Sequence, residues 1–166
     1  NSAVLLKNED GILPVGAKVQ AAVIGDFAFD PRYQGAGSSM VNSTKVDSIK
    51  DMLETSGISV TGIVRGYQRD GKEDEAMKKE AVDLARRSDV VLFFFGLNEK
   101  SETEGLDRKH LRIPQNQINL IQELAKANAN MIGIISAGSV IEMPWHHHFK
   151  ALLHTALMGQ AGAGAV

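Results

Sequence analysis

Apolar and amphipathic segments alternate along the chain, and this alternation predicts the order of its secondary structure. Short continuous apolar runs are typical of strands buried on both faces of a parallel sheet. They predict five strands, near residues 19–25, 58–64, 89–96, 131–136 and 151–157. Apolar residues at helical spacing predict helices over residues 43–57, capped by Ser43 or Thr44, and over residues 73–88 and 114–128. Residues 140–149 are predicted to form a short helix or turn, and residues 1–6 the end of a helix or an arm.

Strands that alternate with helices over short links predict the α/β class. We therefore expect a three-layer sandwich, with a mostly parallel sheet of about five strands and helices on both faces. The 166 residues fit one domain with a single hydrophobic core. Both ends of the chain look cut from a longer protein, so we expect residues 1–166 to be one domain of it.

Composition removes several classes of function. A net charge of −2 gives no electrostatic footprint for nucleic acid, and no apolar run approaches the roughly 20 residues that span a bilayer. The absence of Cys excludes disulfides and thiolate metal sites. We therefore expect neither a nucleic acid nor a membrane as partner. The compartment is not fixed by the sequence, although a bacterial cytoplasm or periplasm fits it best.

The loop after the predicted strand 89–96 is the strongest site candidate. It carries the carboxylates Glu99, Glu102, Glu104 and Asp107, and ligands of open α/β sheets bind outside the carboxyl ends of the strands. Like charges held together raise the pKa of at least one of them, which suits a general acid. The alternative is a solvated loop with a local Asp107–Arg108 pair, and composition alone favours this alternative.

Other motifs give weaker signals. The segment Gly35-Ala36-Gly37 lies too far beyond its strand, and lacks the third glycine, for a dinucleotide fingerprint. A tight turn that lets the backbone approach a ligand or a neighbouring domain is the better interpretation. Consecutive residues 146–148 are all His, and neighbours in sequence cannot easily converge on one metal ion. Gly138-Ser139 does not form the nucleophile elbow G-x-S-x-G. No metal or organic cofactor is expected.

Five blocks in order carry a resemblance that covers essentially the whole chain. They are SAVLLKNEDGILP, VIGDFAFDPRYQGAGSS, FFGLNEKSETEGLDRKHLRIPQNQINLI, ISAGSVIEMPW and LLHTALMGQAGAGAV. Together they resemble the second, C-terminal α/β-sandwich domain of family-3 glycoside hydrolases of the β-glucosidase type. The pattern S-x-x-E-G-x-D-R-x-x-L-x-x-P-x-x-Q, met from Ser101 to Gln117, is the most specific of them.

The resemblance implies hydrolysis of terminal β-D-glycosides with retention of configuration. Its nucleophile would be an aspartate on a preceding (β/α)8 barrel domain, and the α/β domain would supply the general acid/base glutamate. Glu104 is the position that matches this role, and Glu102 is the runner-up. Such a mechanism needs two carboxyl groups about 5–5.5 Å apart, one as nucleophile and one as proton donor.

The resemblance also assigns supporting positions and partners. Asp107 and Arg108 would shape the loop, and a substrate-binding or interface loop would contain Gln34, Gly35, Gly37 and Ser38. The partners would be a β-glucoside or related oligosaccharide and the barrel of the same parent chain. Because the barrel is not part of these 166 residues, we expect the chain alone to be inactive. Two alternatives remain: a flavodoxin-like nucleotide- or carbohydrate-binding module, and a structural domain whose charged loop docks a partner.

Overall fold

A six-stranded sheet forms the centre of the molecule, for which a computed structural model describes residues 3–166. The strands are β1 (Val4–Asn8), β2 (Gln20–Ile24), β3 (Ser59–Val64), β4 (Val90–Gly96), β5 (Met131–Ser136) and β6 (Ala151–His154). They lie in the order β1-β6-β5-β4-β2-β3. Only β1 runs antiparallel to its neighbour. The predicted α/β class with a mostly parallel sheet is therefore confirmed.

Strand β1 is the element that the sequence pattern misses. The pattern predicts the end of a helix or an arm over residues 1–6, but the chain from Val4 is an edge strand paired with β6. Residues 1–2 lie outside the described part of the chain. The side chains of Val4, Leu5 and Leu6 are exposed, so this strand contributes little to the core. A strand that buries neither face lacks the patterns by which strands are predicted.

In the described part of the chain, three α-helices accompany the sheet: α1 (Ile49–Met52), α2 (Glu75–Arg86) and α3 (Gln115–Ala127). Helices α2 and α3 lie within the predicted ranges 73–88 and 114–128. Helix α1 is much shorter than the predicted helix over 43–57, because its cap is Ser48 rather than Ser43 or Thr44. The Ser48 hydroxyl accepts a hydrogen bond from the Asp51 N–H at 3.1 Å. Within residues 140–149 the chain forms one 3-10 turn, His146–His148.

Strand β4 buries side chains on both faces of the sheet and so joins two cores. Phe93 and Phe95 point to the face covered by α2 and α3, where Phe95 packs against Trp145. Phe94 points to the opposite face, which α1 and loops cover. Helices on both faces confirm the three-layer sandwich, although their cover is unequal. An apolar cavity of about 340 Å³ lies on the thinly covered face.

Two glycines turn the chain at the carboxyl edge of the sheet. Gly25, directly after β2, has φ 131°, and Gly96, the last residue of β4, has φ 143°. A Cβ at either position would lie 2.0 Å from a backbone oxygen of the neighbouring strand. Only glycine fits this close approach. The loops after β2 and β4 therefore begin beside one another.

No helix among residues 3–166 is long and apolar enough to cross a bilayer.

Candidate active site

The candidate site lies at the point in the sheet where the order of successive strands reverses. From β2 the chain passes to β3 on one side and then to β4 on the other, so β2 and β4 are neighbours at a topological switch point. Open α/β sheets bind ligands in the crevice at such a point. The loops that follow β2 and β4 meet there, and a backbone bridge pairs Ala36 with Thr103.

Glu104 stands at this crevice with its side chain exposed. Its Oε2 atom accepts two hydrogen bonds from Ser38, one from the backbone N–H at 3.0 Å and one from the hydroxyl. These bonds favour the charged form, so the hydroxyl first and the amide second hold the pKa of the Glu104 carboxyl below its ordinary value. A carboxylate that carries its charge at neutral pH is therefore presented at the rim of the sheet.

Glu102 has the opposite surroundings, and its side chain is only 8% exposed. Its oxygens accept hydrogen bonds from the Ser139 hydroxyl at 2.7 Å and from the Gly138 N–H at 3.1 Å. The Arg32 guanidinium, 1% exposed, lies 3.5 Å away as an ion pair. Glu102 ends a 3-10 turn, and Glu104 begins a turn in which Gly105 has φ 78°, so the chain is not extended here and the two side chains face different surroundings. The two candidate acids are thus separated by environment.

Arg108 and Asp107 do not form the local pair that the sequence predicts. Arg108 Nη1 donates instead to the Ser139 hydroxyl at 2.9 Å and to the Val140 carbonyl at 2.7 Å. Within residues 3–166 no ion pair joins the two side chains, and Asp107 is exposed. The prediction of an Asp107–Arg108 pair is wrong, because loops distant in sequence supply better acceptors than the neighbouring side chain does.

The contacts of Ser139 join both sides of the loop that carries Glu104. We call the group Arg32, Glu102, Arg108 and Ser139 the Ser139 clamp. Glu102 lies before Glu104 in sequence and Arg108 after it, and both bind the same hydroxyl. A depression of about 400 Å³, lined by all four clamp residues, opens beside them. The clamp therefore fixes this loop to the segment that follows β5.

The loop of residues 34–39 contains residues that face Glu104 and residues that shape the loop itself. Gly37 has φ 87°, and a Cβ there would lie 3.1 Å from Glu104 Cβ. Ser38 donates to Glu104 as described. The Gln34 amide binds within its own loop, donating to the Val41 carbonyl at 3.1 Å and accepting from the Val41 N–H at 2.9 Å. A Cβ on Gly35 would crowd the Ser39 hydroxyl at 2.7 Å, so Gly35 also keeps the loop compact.

These contacts bear on the alternative functions. A phosphate cradle needs free backbone N–H groups, and the Ser38 N–H is already occupied by Glu104. The Nδ1 atoms of His146 and His147 each lie 2.9 Å from a backbone carbonyl oxygen. Among residues 3–166 no three His, Cys, Asp or Glu side chains are grouped to hold a metal ion.

Sequence reasoning misses Arg32 and Ser139 as site residues. Arg32 lies in the long loop after β2, and a basic residue between the aromatic residues Phe29 and Tyr33 was the available signal. The start of this loop is held by Asp26, which pairs with Arg65 and Arg69. Ser139 gives no signal in the sequence, since its partners belong to another loop.

Comparison with known proteins identifies the family of this chain. The model of the glycosyl hydrolase family 3 C-terminal domain matches residues 3–166. The chain is 43% identical over 176 residues to the exo-α-(1→6)-L-arabinopyranosidase of Bifidobacterium breve, covering 99% of this chain and 23% of that protein. It is 41% identical over 169 residues to the thermostable β-glucosidase B of Acetivibrio thermocellus, covering 99% of this chain and 22% of that protein. The crystal structure of a GH3 β-glucosidase from Bifidobacterium adolescentis matches with a TM-score of 0.92 and 44% identity, covering 98% of this chain and 24% of that one. The chain spans about a quarter of the length of these relatives.

Proposed function

This chain belongs to glycosyl hydrolase family 3, as its C-terminal domain, and from that premise we propose that Glu104 is the general acid/base of a retaining β-glycosidase. The observation that carries the proposal is the contrast between the two acids. Glu104 offers an exposed carboxylate at the switch point of the sheet, whereas the oxygens of Glu102 are occupied inside the clamp. An acid/base must reach its substrate, and Glu104 alone of the two is accessible.

The proton cycle requires a second domain. In this chain the Ser38 hydrogen bonds lower the pKa of Glu104, which suits a base and opposes an acid. Docking against a barrel that holds the nucleophile would bury Glu104 and bring a second carboxylate near it, and both effects raise a carboxyl pKa. Glu104 would then protonate the leaving glycosidic oxygen while the nucleophile attacks the anomeric carbon. It would next take a proton from the water that releases the sugar.

The substrate class follows from the same premise. We propose a terminal β-glucoside or related oligosaccharide, bound between this domain and a preceding (β/α)8 barrel of the parent chain. The chain on its own supplies one of the two carboxyl groups that retention needs, so by itself it is inactive. This proposal makes the 166-residue chain the acid/base half of a two-domain active site.

Replacing Glu104 by Ala in the full-length enzyme tests the role. We expect a loss on the order of 10²–10⁴-fold for glycosides with poor leaving groups, because these need protonation of the departing oxygen. For substrates with activated leaving groups, the rate of the first step, departure of the leaving group, should change little. Added azide should restore their turnover by replacing the activated water.

The matched control is Glu99→Ala, which removes a carboxylate of the same segment that pairs with Arg69 at 3.2 Å, outside the clamp. It should leave the dependence on leaving group unchanged. If Glu104→Ala lowers the activity on all substrates equally and azide restores no turnover, Glu104 instead serves in docking and the proposal is wrong.

A further inference from the structure

We propose that Glu102 is a positioning residue: from inside the Ser139 clamp it fixes the place of Glu104 without contacting the substrate. This inference rests on the proposed function of Glu104. It assigns to Glu102 a role different from that of a second proton donor, and it extends the role to Arg32, which is buried on another loop.

The first argument is the attachment of the loop on both sides of Glu104. Glu102 accepts from the Ser139 hydroxyl at 2.7 Å, and Arg108 donates to the same oxygen at 2.9 Å. Glu102 also accepts from the Gly138 N–H at 3.1 Å. A short loop anchored at both flanks to one segment has little freedom between the anchors. The main chain at Glu104 is therefore held to the end of β5.

The second argument is the use of a buried charge. Arg32 and Glu102, 1% and 8% exposed, form an ion pair across two loops. Arg32 lies on the loop after β2, which also holds Ser38, the residue that binds Glu104. The pair, the Ala36–Thr103 bridge and the Ser38 bonds thus join the same two loops at successive points. Buried polar networks of this kind define one arrangement only when all members are present.

The third argument comes from the demands of proton transfer. A donor must stand within hydrogen-bond reach of the leaving oxygen, and a displacement near 1 Å costs on the order of 100-fold in rate. Glu104 itself is exposed, and within residues 3–166 its side chain is bound only by Ser38, so its own contacts supply little restraint. The clamp supplies the restraint that the exposed side chain lacks.

A double-mutant cycle in the full-length enzyme tests the inference. Glu102→Gln keeps the shape of the side chain and removes its charge, and we expect it to lower kcat/KM for poor leaving groups on the order of 100-fold. Activated substrates should change much less, and the limb of the pH profile that Glu104 supplies should remain. Because Glu102 acts through Glu104, the double variant with Glu104→Ala should be no slower than Glu104→Ala alone.

Three results would overturn the inference. If the losses in kcat/KM of the two single variants add in the double variant, Glu102 acts independently of Glu104. Loss of the pH limb in Glu102→Gln, with azide rescue there and not in Glu104→Ala, makes Glu102 the acid/base and refutes the proposed function too. An unchanged Glu102→Gln, beside a Glu104→Ala variant that behaves as expected, refutes the positioning role alone.

A second variant keeps the test open should Glu102→Gln fail to fold. Ser139→Ala leaves both buried charges in place and removes the hydroxyl that joins Glu102 to Arg108. We expect a smaller loss confined to the same poor leaving groups, again absent when Glu104 is Ala. Glu99→Gln, on the same segment and outside the clamp, is the control for a general disturbance of the loop. An unchanged Ser139→Ala variant would contradict the clamp.

Discussion

Replacing Glu102 by Ala should destabilise the folded chain by about 3–5 kcal/mol, because it leaves the buried Arg32 charge without its partner. The two side chains are 1% and 8% exposed, and their charged atoms lie 3.5 Å apart. At an effective dielectric constant of about 20, a pair at this distance attracts by about 5 kcal/mol. Arg32 Nε and Nη2 have no hydrogen-bond partner among residues 3–166, so little else compensates this charge.

Urea unfolding measures the loss directly. The chain has a single tryptophan, Trp145, which is buried against Phe95 and reports unfolding by its fluorescence. The double variant Arg32→Met/Glu102→Gln removes both charges and should lose much less than Glu102→Ala does, since no buried charge remains uncompensated.

The partly exposed pair of Glu99 and Arg69 gives the control, because Glu99→Ala should cost no more than about 1 kcal/mol. A Glu102→Ala variant within about 1 kcal/mol of the parent would refute the reasoning. So would a double variant that is less stable than the single one.

Three further predictions concern the site. Gly37→Ala should lower the free energy of unfolding by about 1–2 kcal/mol, because alanine is strained at the positive φ of this position. In the full-length enzyme it should also lower the rate on substrates with poor leaving groups, since the added Cβ would lie 3.1 Å from Glu104 Cβ. The control Gly57→Ala, with φ 73° and no atom within 4 Å of its Cβ, should lose stability alone; equal kinetics in both variants would contradict the contact. Ser38 lowers the pKa of Glu104, so its bonds stabilise the fold above the ordinary glutamate pKa and are lost as the pH falls through the lowered value. Ser38→Ala should weaken this acid-side dependence in unfolding experiments and raise the carboxyl pKa seen by NMR, and an unmoved pKa would refute it. The purified 166-residue chain should not cleave aryl β-glucosides, and a rate comparable to that of intact family members would refute the two-domain site.

The parts of the fold that follow from sequence are those with a buried, periodic pattern. Strands β2, β4, β5 and β6 and helices α2 and α3 each bury at least one face, and β3 is half-buried along its length. The ranges of all of them agree with the prediction to within a few residues. Strand β1 is not predicted from the sequence because it is an exposed edge strand. Helix α1 is shorter than predicted because the Ser48 cap lies well inside the expected range, and extended chain precedes it.

The location of the site could also be predicted, but its internal contacts could not. A long charged loop after β4 indicates the carboxyl edge of the sheet, and it contains both candidate glutamates, Glu102 and Glu104. The sequence does not tell which glutamate faces inward, because that depends on Arg32 and Ser139 from two other loops. It predicts the neighbour Asp107 as partner of Arg108, since local pairs are the ones that a sequence displays.

The Ser139 clamp limits how this domain can be re-engineered. Surface loops commonly tolerate insertion and exchange. Here the segment bearing Glu104 takes its shape from residues contributed by the connections after β2 and β5. A transplanted copy of that segment would arrive without its supports. Chimeric enzymes should therefore inherit all three connections as one unit.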